Sequence, residues 1–147
     1  MNVERITLDT NILIYAIDNE AGQRHKLAIK VIERALTSAD CSLTLQSLSE
    51  FFNAVTRKNK LSPKIAMEHV HDLIELFPVI TAKQTTLKHA MKTVCEHKLS
   101  FWDAMLLATV QDAGISILLS EDFQHEQSLG RVRIINPFIP NHFWSMN

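Results

Sequence analysis

At 147 residues, 46% hydrophobic and 21% charged with only 3 Gly and 4 Pro, the chain has the size and composition of one globular domain, which excludes disordered, collagen-like and linker-rich architectures. A formal net charge of -1 gives no bulk attraction to nucleic acid or anionic membrane, so a polyanionic partner has to be gripped by a local patch. No apolar run reaches the roughly 18 residues that span a bilayer, no signal peptide is evident, and Cys41 and Cys95 lack CxxC or metal-ligand spacing, so a cytoplasmic protein with reduced cysteines and no membrane partner is expected.

The first predicted element is a short buried strand over "ERITL", residues 4–8, followed from about Asn11 by a helix through the apolar "ILIYAI". Asp9 then stands at the carboxyl end of the strand. An amphipathic helix is predicted over 24–38, where Leu27, Val31 and Ile32 alternate with Lys30, Glu33 and Arg34, and a strand "CSLTL" follows. In "QSLSEFFNAVTRK", residues 46–58, helical spacing puts Leu48, Phe51, Phe52 and Val55 on one face and Glu50, Asn53 and Arg57 on another. Ser62 as N-cap and Pro63 at the first helical position open the next helix, which Pro78 ends. A strand "VIT" leads to a helix over about 84–97, and Ser100 caps a last helix that stops at Gly114. "ISILLS" is the clearest strand and carries Glu121 and Asp122 at its exit; "VRII" is the last strand, before an irregular tail over 139–147. Strands alternating with helices predict an α/β fold with parallel pairing, in one domain over 1–147 with its core at about 3–138.

Ligand crevices in such folds lie off the carboxyl ends of the strands. Asp9 and Asp122 both follow such ends, Glu50 lies early in the helix after the second strand, and Asp103 lies in the first turn of the helix before the strongest strand. If all four carboxylates converge, each pair about 5 Å apart repels by roughly 3 kcal/mol at an effective dielectric near 20. Either some pKa values rise steeply or a divalent cation sits among them; all-oxygen ligands select hard ions, Mg2+ or Mn2+. Each acid alone also has a structural reading. Asp9 is a plausible helix cap, Asp103 mimics a capping box with Ser100, Glu50 suits a solvated helix face and Asp122 suits a turn. Only jointly do the four weigh toward a site.

Phosphate contacts require cations, and "RKNKLSPK" supplies Arg57, Lys58 and Lys60 without an acid, although a solvated helix end accounts for them equally well. Trp102, beside Asp103, is either a base-stacking platform or a core aromatic. No Ser-His-Asp or Cys-His arrangement is evident, and His69 and His71, two apart, fall on different helix faces.

The ordered set "LDTNILIYAID", "SLSEFFNAVTRK", "LSFWDAMLLATVQDAGISILLSEDF" and "IINPF" spans nearly the whole chain. It resembles the PIN-domain nucleases, and among them the VapC-type ribonuclease toxins of bacterial toxin–antitoxin pairs. The resemblance implies a three-layer sandwich with a central, mostly parallel sheet flanked by helices, and a Mg2+- or Mn2+-dependent endoribonuclease. It matches Asp9, Glu50, Asp103 and Asp122 to the metal-holding acidic quartet, with Asn11 and Ser120 as polar helpers and Thr10 in the same motif. It also implies an RNA substrate, a homodimer, and a cognate antitoxin whose C-terminal segment occupies the active-site groove. The tail after Phe138 goes beyond the family's pattern. Two other readings differ in class: an aspartate-based phosphohydrolase with Asp9 as nucleophile, whose expected second aspartate is replaced by Asn11, and a catalytically silent PIN-like module that binds RNA or protein.

Overall fold

The computed structural model describes residues 4–123, 128–142, 144 and 145. Its main sheet contains β1 (Arg5–Leu8), β2 (Asp40–Cys41), β5 (Ile117–Leu119), β6 (Ser128–Leu129) and β7 (Val132–Ile135), in the order β2-β1-β5-β7-β6. All neighbours are parallel except the β6–β7 hairpin. A second, two-stranded parallel sheet pairs β3 (Leu43–Thr44) with β4 (Val79–Ile80). Six α-helices and a single 3-10 turn (Asn19–Ala21) complete the described chain: α1 (Thr10–Ile17), α2 (Gln23–Ser38), α3 (Leu45–Arg57), α4 (Pro63–Leu76), α5 (Gln84–Glu96) and α6 (Phe101–Asp112).

The central strands are mostly apolar, with β5 entirely so, because both sheet faces are covered. Ile6, Leu8, Ile117 and Leu119 point to one face, where Ile12 and Leu13 of α1, Val31 of α2 and Phe51 of α3 bury against them. Leu118 and Ile134 point to the other, against Leu106, Leu107 and Val110 of α6. Ala90 of α5 meets Ala104 and Ala108 of α6, small side chains that let the two helices approach closely. The result is the expected α/β fold, a mostly parallel sheet between helical layers. Among the described residues no helix is long and apolar enough to cross a membrane.

The start and stop signals act as their chemistry requires. Ser62 Oγ accepts from the Ile65 amide with Pro63 in the first turn, and Ser100 Oγ accepts from the Asp103 amide at 3.2 Å. At the end of α6, Gly114 takes φ +74, its amide donates to Gln111 O, and the Ile115 amide reaches back to Val110 O, the paired bonds of a Schellman turn.

Two features depart from expectation. "CSLTL" is not one strand: the Ser42 amide donates to Ile6 O at 3.1 Å, whereas the Leu43 amide donates to Pro78 O at 2.9 Å, so the chain changes partner there and splits into β2 and β3 of different sheets. The hairpin strand β6 was not anticipated; two residues, one of them Ser128, carry no periodic signal. The tail is irregular, but Trp144 is buried in the main core with the Arg34 guanidinium 4.1 Å over its ring. Parts of the expected domain and tail, at 1–3, 124–127, 143, 146 and 147, lie outside the described residues.

Candidate active site

Strand register decides where the acids go. Leu8 pairs with Leu119 and Leu119 with Ile135, so β1, β5 and β7 end level. The backbone continues this ladder one step, with the Asp9 amide donating to Leu119 O at 2.9 Å and the Ser120 amide to Ile135 O at 3.0 Å. Asp9 and Ser120 are therefore side by side at the carboxyl edge of the sheet. Asp9 caps α1 while accepting from the Thr10 amide at 2.7 Å, and its place as a cap keeps it at this edge of the sheet.

One cavity of about 270 Å³ is lined by Asp9, Glu50, Asp103 and Asp122, with Thr10 and Asn11 in its wall. Thr10, Asn11, Gln46 and Asp103 belong to the first turns of α1, α3 and α6, so three helix amino ends face the acids and relieve part of their repulsion. Ser120 Oγ donates to Asp9 Oδ2 at 2.7 Å and accepts from the Asp122 amide at 3.1 Å. Asn11 Nδ2 donates to both carboxylate oxygens of Asp122, at 2.9 and 3.0 Å. Thr10 Oγ1 donates to Glu50 Oε2 at 3.4 Å, and Gln46 Nε2 donates to Glu50 Oε1 at 2.8 Å. Gln46, which the sequence pattern did not single out, also donates to Trp102 O at 3.0 Å and so ties α3 to α6. It precedes Glu50 by one helical turn, a spacing that was available as a signal.

The electrostatics reflect crowding. Asp9 is 6% exposed, and its carboxyl is pushed up to about 6 by burial, opposed by the bonds from Ser120 and Thr10, with Asp122 and Glu50 adding to the rise. Asp122 is also raised, first by loss of hydration at the cavity wall, with the charges of Glu121 and Asp103 contributing and the bonds to Asp9 and Asn11 opposing.

Glu121, adjacent to Asp122, faces elsewhere. Its carboxylate accepts from Tyr15 Oη and, at 2.9 Å, from Arg24 Nε; Arg24 in turn lies 4.9 Å over the Phe138 ring. Of the expected cations, Arg57 and Lys58 line the acidic cavity. Lys60 does not: its Nζ pairs with Asp18 at 2.6 Å, just beyond α1, and this bond is the main cause of the depressed Asp18 pKa. The donor set is oxygen-rich. As they stand, no three Asp, Glu, His or Cys side chains among the described residues form a group that could hold a metal ion.

Solved structures of similar fold include a toxin and toxin–antitoxin complexes. A VapC toxin from Mycobacterium tuberculosis, described as cleaving the sarcin-ricin loop, superposes with a TM-score of 0.63 at 18% identity, covering 80% of this chain and 91% of its own. A toxin–antitoxin complex from Klebsiella pneumoniae gives 0.65 at 20% identity, covering 90% of this chain and 98% of its counterpart. A VapBC complex from Rickettsia felis bound to promoter DNA gives 0.67 at 12%, covering 88% and 96%. At such identities the likeness is one of fold. Comparison with curated protein sequences gives no match. The PIN domain family model matches residues 6–128, most of the chain and every acid of the cavity, and the chain therefore belongs to the PIN-domain family.

Proposed function

We propose that the protein is a Mg2+- or Mn2+-dependent endoribonuclease, the toxin of a toxin–antitoxin pair. The observation that carries this reading is the convergence of Asp9, Glu50, Asp103 and Asp122 on one cavity that Arg57 and Lys58, at the carboxyl end of α3, also line. The toxin role follows the fold neighbours, one of which is a toxin–antitoxin complex; a homodimer in complex with a cognate antitoxin is the assembly this reading implies.

A hard divalent ion fits the donors. They are carboxylates and neutral oxygens, and burial, with the charges of Asp122 and Glu50 adding to it, pushes the Asp9 carboxyl up to about 6, a crowding that a bound cation would relieve. The fit rests on this chemistry and not on a preformed cage. Asp9, Asp103 and Asp122 would be the principal ligands, with Glu50 holding a second ion or positioning the attacking water. When bound, the metal acidifies water and relieves charge on the phosphate.

The chain's own residues supply the rest. Ser120 and the Thr10 amide hold both oxygens of Asp9, Asn11 fixes Asp122, and Gln46 and Thr10 fix Glu50, so the carboxylates are oriented before substrate arrives. Arg57 and Lys58, at the carboxyl end of the helix that carries Glu50, line the same cavity and meet the phosphate there. The test is incubation of antitoxin-free protein with structured and single-stranded RNA, with and without Mg2+ or Mn2+, alongside Asp9→Asn. Metal-dependent cuts that leave 5′-phosphate and 3′-hydroxyl ends and vanish in the variant are expected. Metal-independent cuts with 2′,3′-cyclic ends would refute the mechanism, and RNA binding without any cutting would favour a silent binding module.

A further inference from the structure

A second and larger cavity, about 700 Å³, opens beside the acidic one between α3, α6 and the carboxyl end of β4. Its size falls in the range of about 300–1,000 Å³ typical of ligand pockets. Leu45, Ile80 and Met105 give it an apolar lining, and Gln46, Glu50, Asn53 and Trp102 belong to both cavities. The two are thus one continuous depression with an acidic half and an apolar half. Trp102 stands at the junction. Its residue is 64% exposed, its ring rests edge-on against Phe101 with centroids 4.9 Å apart, and its carbonyl is held by Gln46.

From this arrangement we infer that the apolar half is a nucleobase subsite, which receives the base next to the scissile phosphate, stacks it on Trp102 and reads its edge with Gln46 and Asn53. The inference rests on the nuclease reading and sharpens it: a base can enter only after leaving its own stack, so the substrate is cut where it is unpaired. Three observations favour a base. The exposed indole adjoins the acids, within a nucleotide's reach of a phosphate bound there. Gln46 spends both amide hydrogens on Glu50 Oε1 and Trp102 O, leaving its carbonyl oxygen as an acceptor. Asn53 lines both halves, and its side-chain amide has no hydrogen-bond partner among the described residues, so it can both donate and accept. An apolar slot edged by neutral donors and acceptors matches the planar face and polar rim of a base.

The test compares wild type, Trp102→Ala and Trp102→Phe as full-length proteins. Metal-free binding and Mn2+-supported cleavage are measured on a single-stranded oligoribonucleotide, the same sequence as duplex, and the single strand carrying an abasic unit beside the cut. Trp102→Ala should bind the single strand about tenfold more weakly, with Trp102→Phe recovering most of the loss. Wild type on the abasic strand should behave like Trp102→Ala on the intact one, and duplex binding should be unaffected by either substitution. Wild-type cleavage with Trp102→Ala unchanged would overturn the subsite and leave the nuclease reading standing. Equal losses on duplex and single strand would overturn it too, by showing a general contact. Unchanged RNA binding with lost inhibition by a co-expressed cognate antitoxin would give the groove to a protein segment instead. Failure of the wild type to bind or cut any RNA would remove the nuclease reading and the subsite with it.

Discussion

Ser120 Oγ lies 2.7 Å from Asp9 Oδ2 and also accepts the Asp122 amide at 3.1 Å, so one buried hydroxyl sets the positions of two acids from opposite ends of the chain. Ser120→Ala removes a bond to a carboxylate and leaves the Asp122 amide without its acceptor, a loss of about 1–3 kcal/mol of stability. It also removes an interaction that lowers the Asp9 pKa, so that pKa climbs further. Thermal unfolding together with carboxyl NMR titration of the variant checks both; an Asp9 titration unmoved by the substitution would contradict this account of the hydroxyl.

Asp9 makes stability depend on pH with a definite sign. Its folded pKa is raised from 3.8 to about 6, so the folded state holds this proton more tightly than the unfolded chain does. The resulting stabilisation is complete below the unfolded value and is lost as pH rises through about 6; a shift of about two units corresponds to roughly 3 kcal/mol. Asp9→Asn keeps the shape without the charge. Its Oδ1 can accept from Thr10 and its amide can donate to Ser120 Oγ, provided the serine hydrogen turns away. In EDTA the variant should therefore be more stable than wild type at pH 7.5 and nearly equal to it near pH 4. Mg2+ or Mn2+ should raise the wild-type Tm at pH 7.5 and leave that of Asp9→Asn unchanged. Denaturant titrations at the two pH values decide the matter, since parallel curves for both proteins would rule out Asp9 as the titrating group.

Adjacent acids should behave differently. Asp122 faces the cavity and is gripped by Asn11, whereas Glu121 is committed to Tyr15 and Arg24. Asp122→Asn should reduce metal-dependent cleavage by about a hundredfold or more through loss of a charged ligand. Glu121→Gln keeps an oxygen for Tyr15 or Arg24 and should cost only a few-fold, mainly in stability. Side-by-side cleavage rates under saturating Mn2+ give the comparison, and a reversed order would move the ligand role to Glu121.

Trp144 closes the core from the tail, 4% exposed beneath the Arg34 guanidinium. Trp144→Ala should cost about 3–5 kcal/mol, as other large aromatic truncations in a core do. Cleavage measured well below the lowered Tm should be unaltered, because the ring packs away from the acidic cavity. An activity loss exceeding the unfolded fraction would show that the tail reaches the site.

The contrast among these residues explains what the sequence could disclose. Asp9 was legible because a β-branched run, an acid and a second apolar run occur in succession, and the Ser62, Ser100 and Gly114 boundaries were legible because capping chemistry is local. The split of "CSLTL" was not, since it depends on Ile6 and Pro78 offering carbonyls from two different segments. Nor was the commitment of Glu121, whose partners Tyr15 and Arg24 lie 106 and 97 residues away along the chain. That Asp9 and Asp122 meet at one cavity follows from strand register, which the alternation of strands and helices implied without specifying, while Glu50 and Asp103 reach it from α3 and α6.

Lys60 offers the same lesson in a form that kinetics can test. "RKNKLSPK" reads as one basic strip, yet Arg57 and Lys58 reach the cavity while Lys60 pairs with Asp18. A cation at the phosphate contributes through counterion release, so its removal weakens binding to every RNA and flattens the salt dependence by close to one unit of slope. Arg57→Ala and Lys58→Ala should each raise KM several-fold with little change in kcat, and the log–log plot against salt should become shallower. Lys60→Met should leave both KM and that slope where they are in the wild type. A Lys60 variant with a raised KM and a reduced slope would instead place this lysine on the RNA and require the Asp18 pair to open during binding.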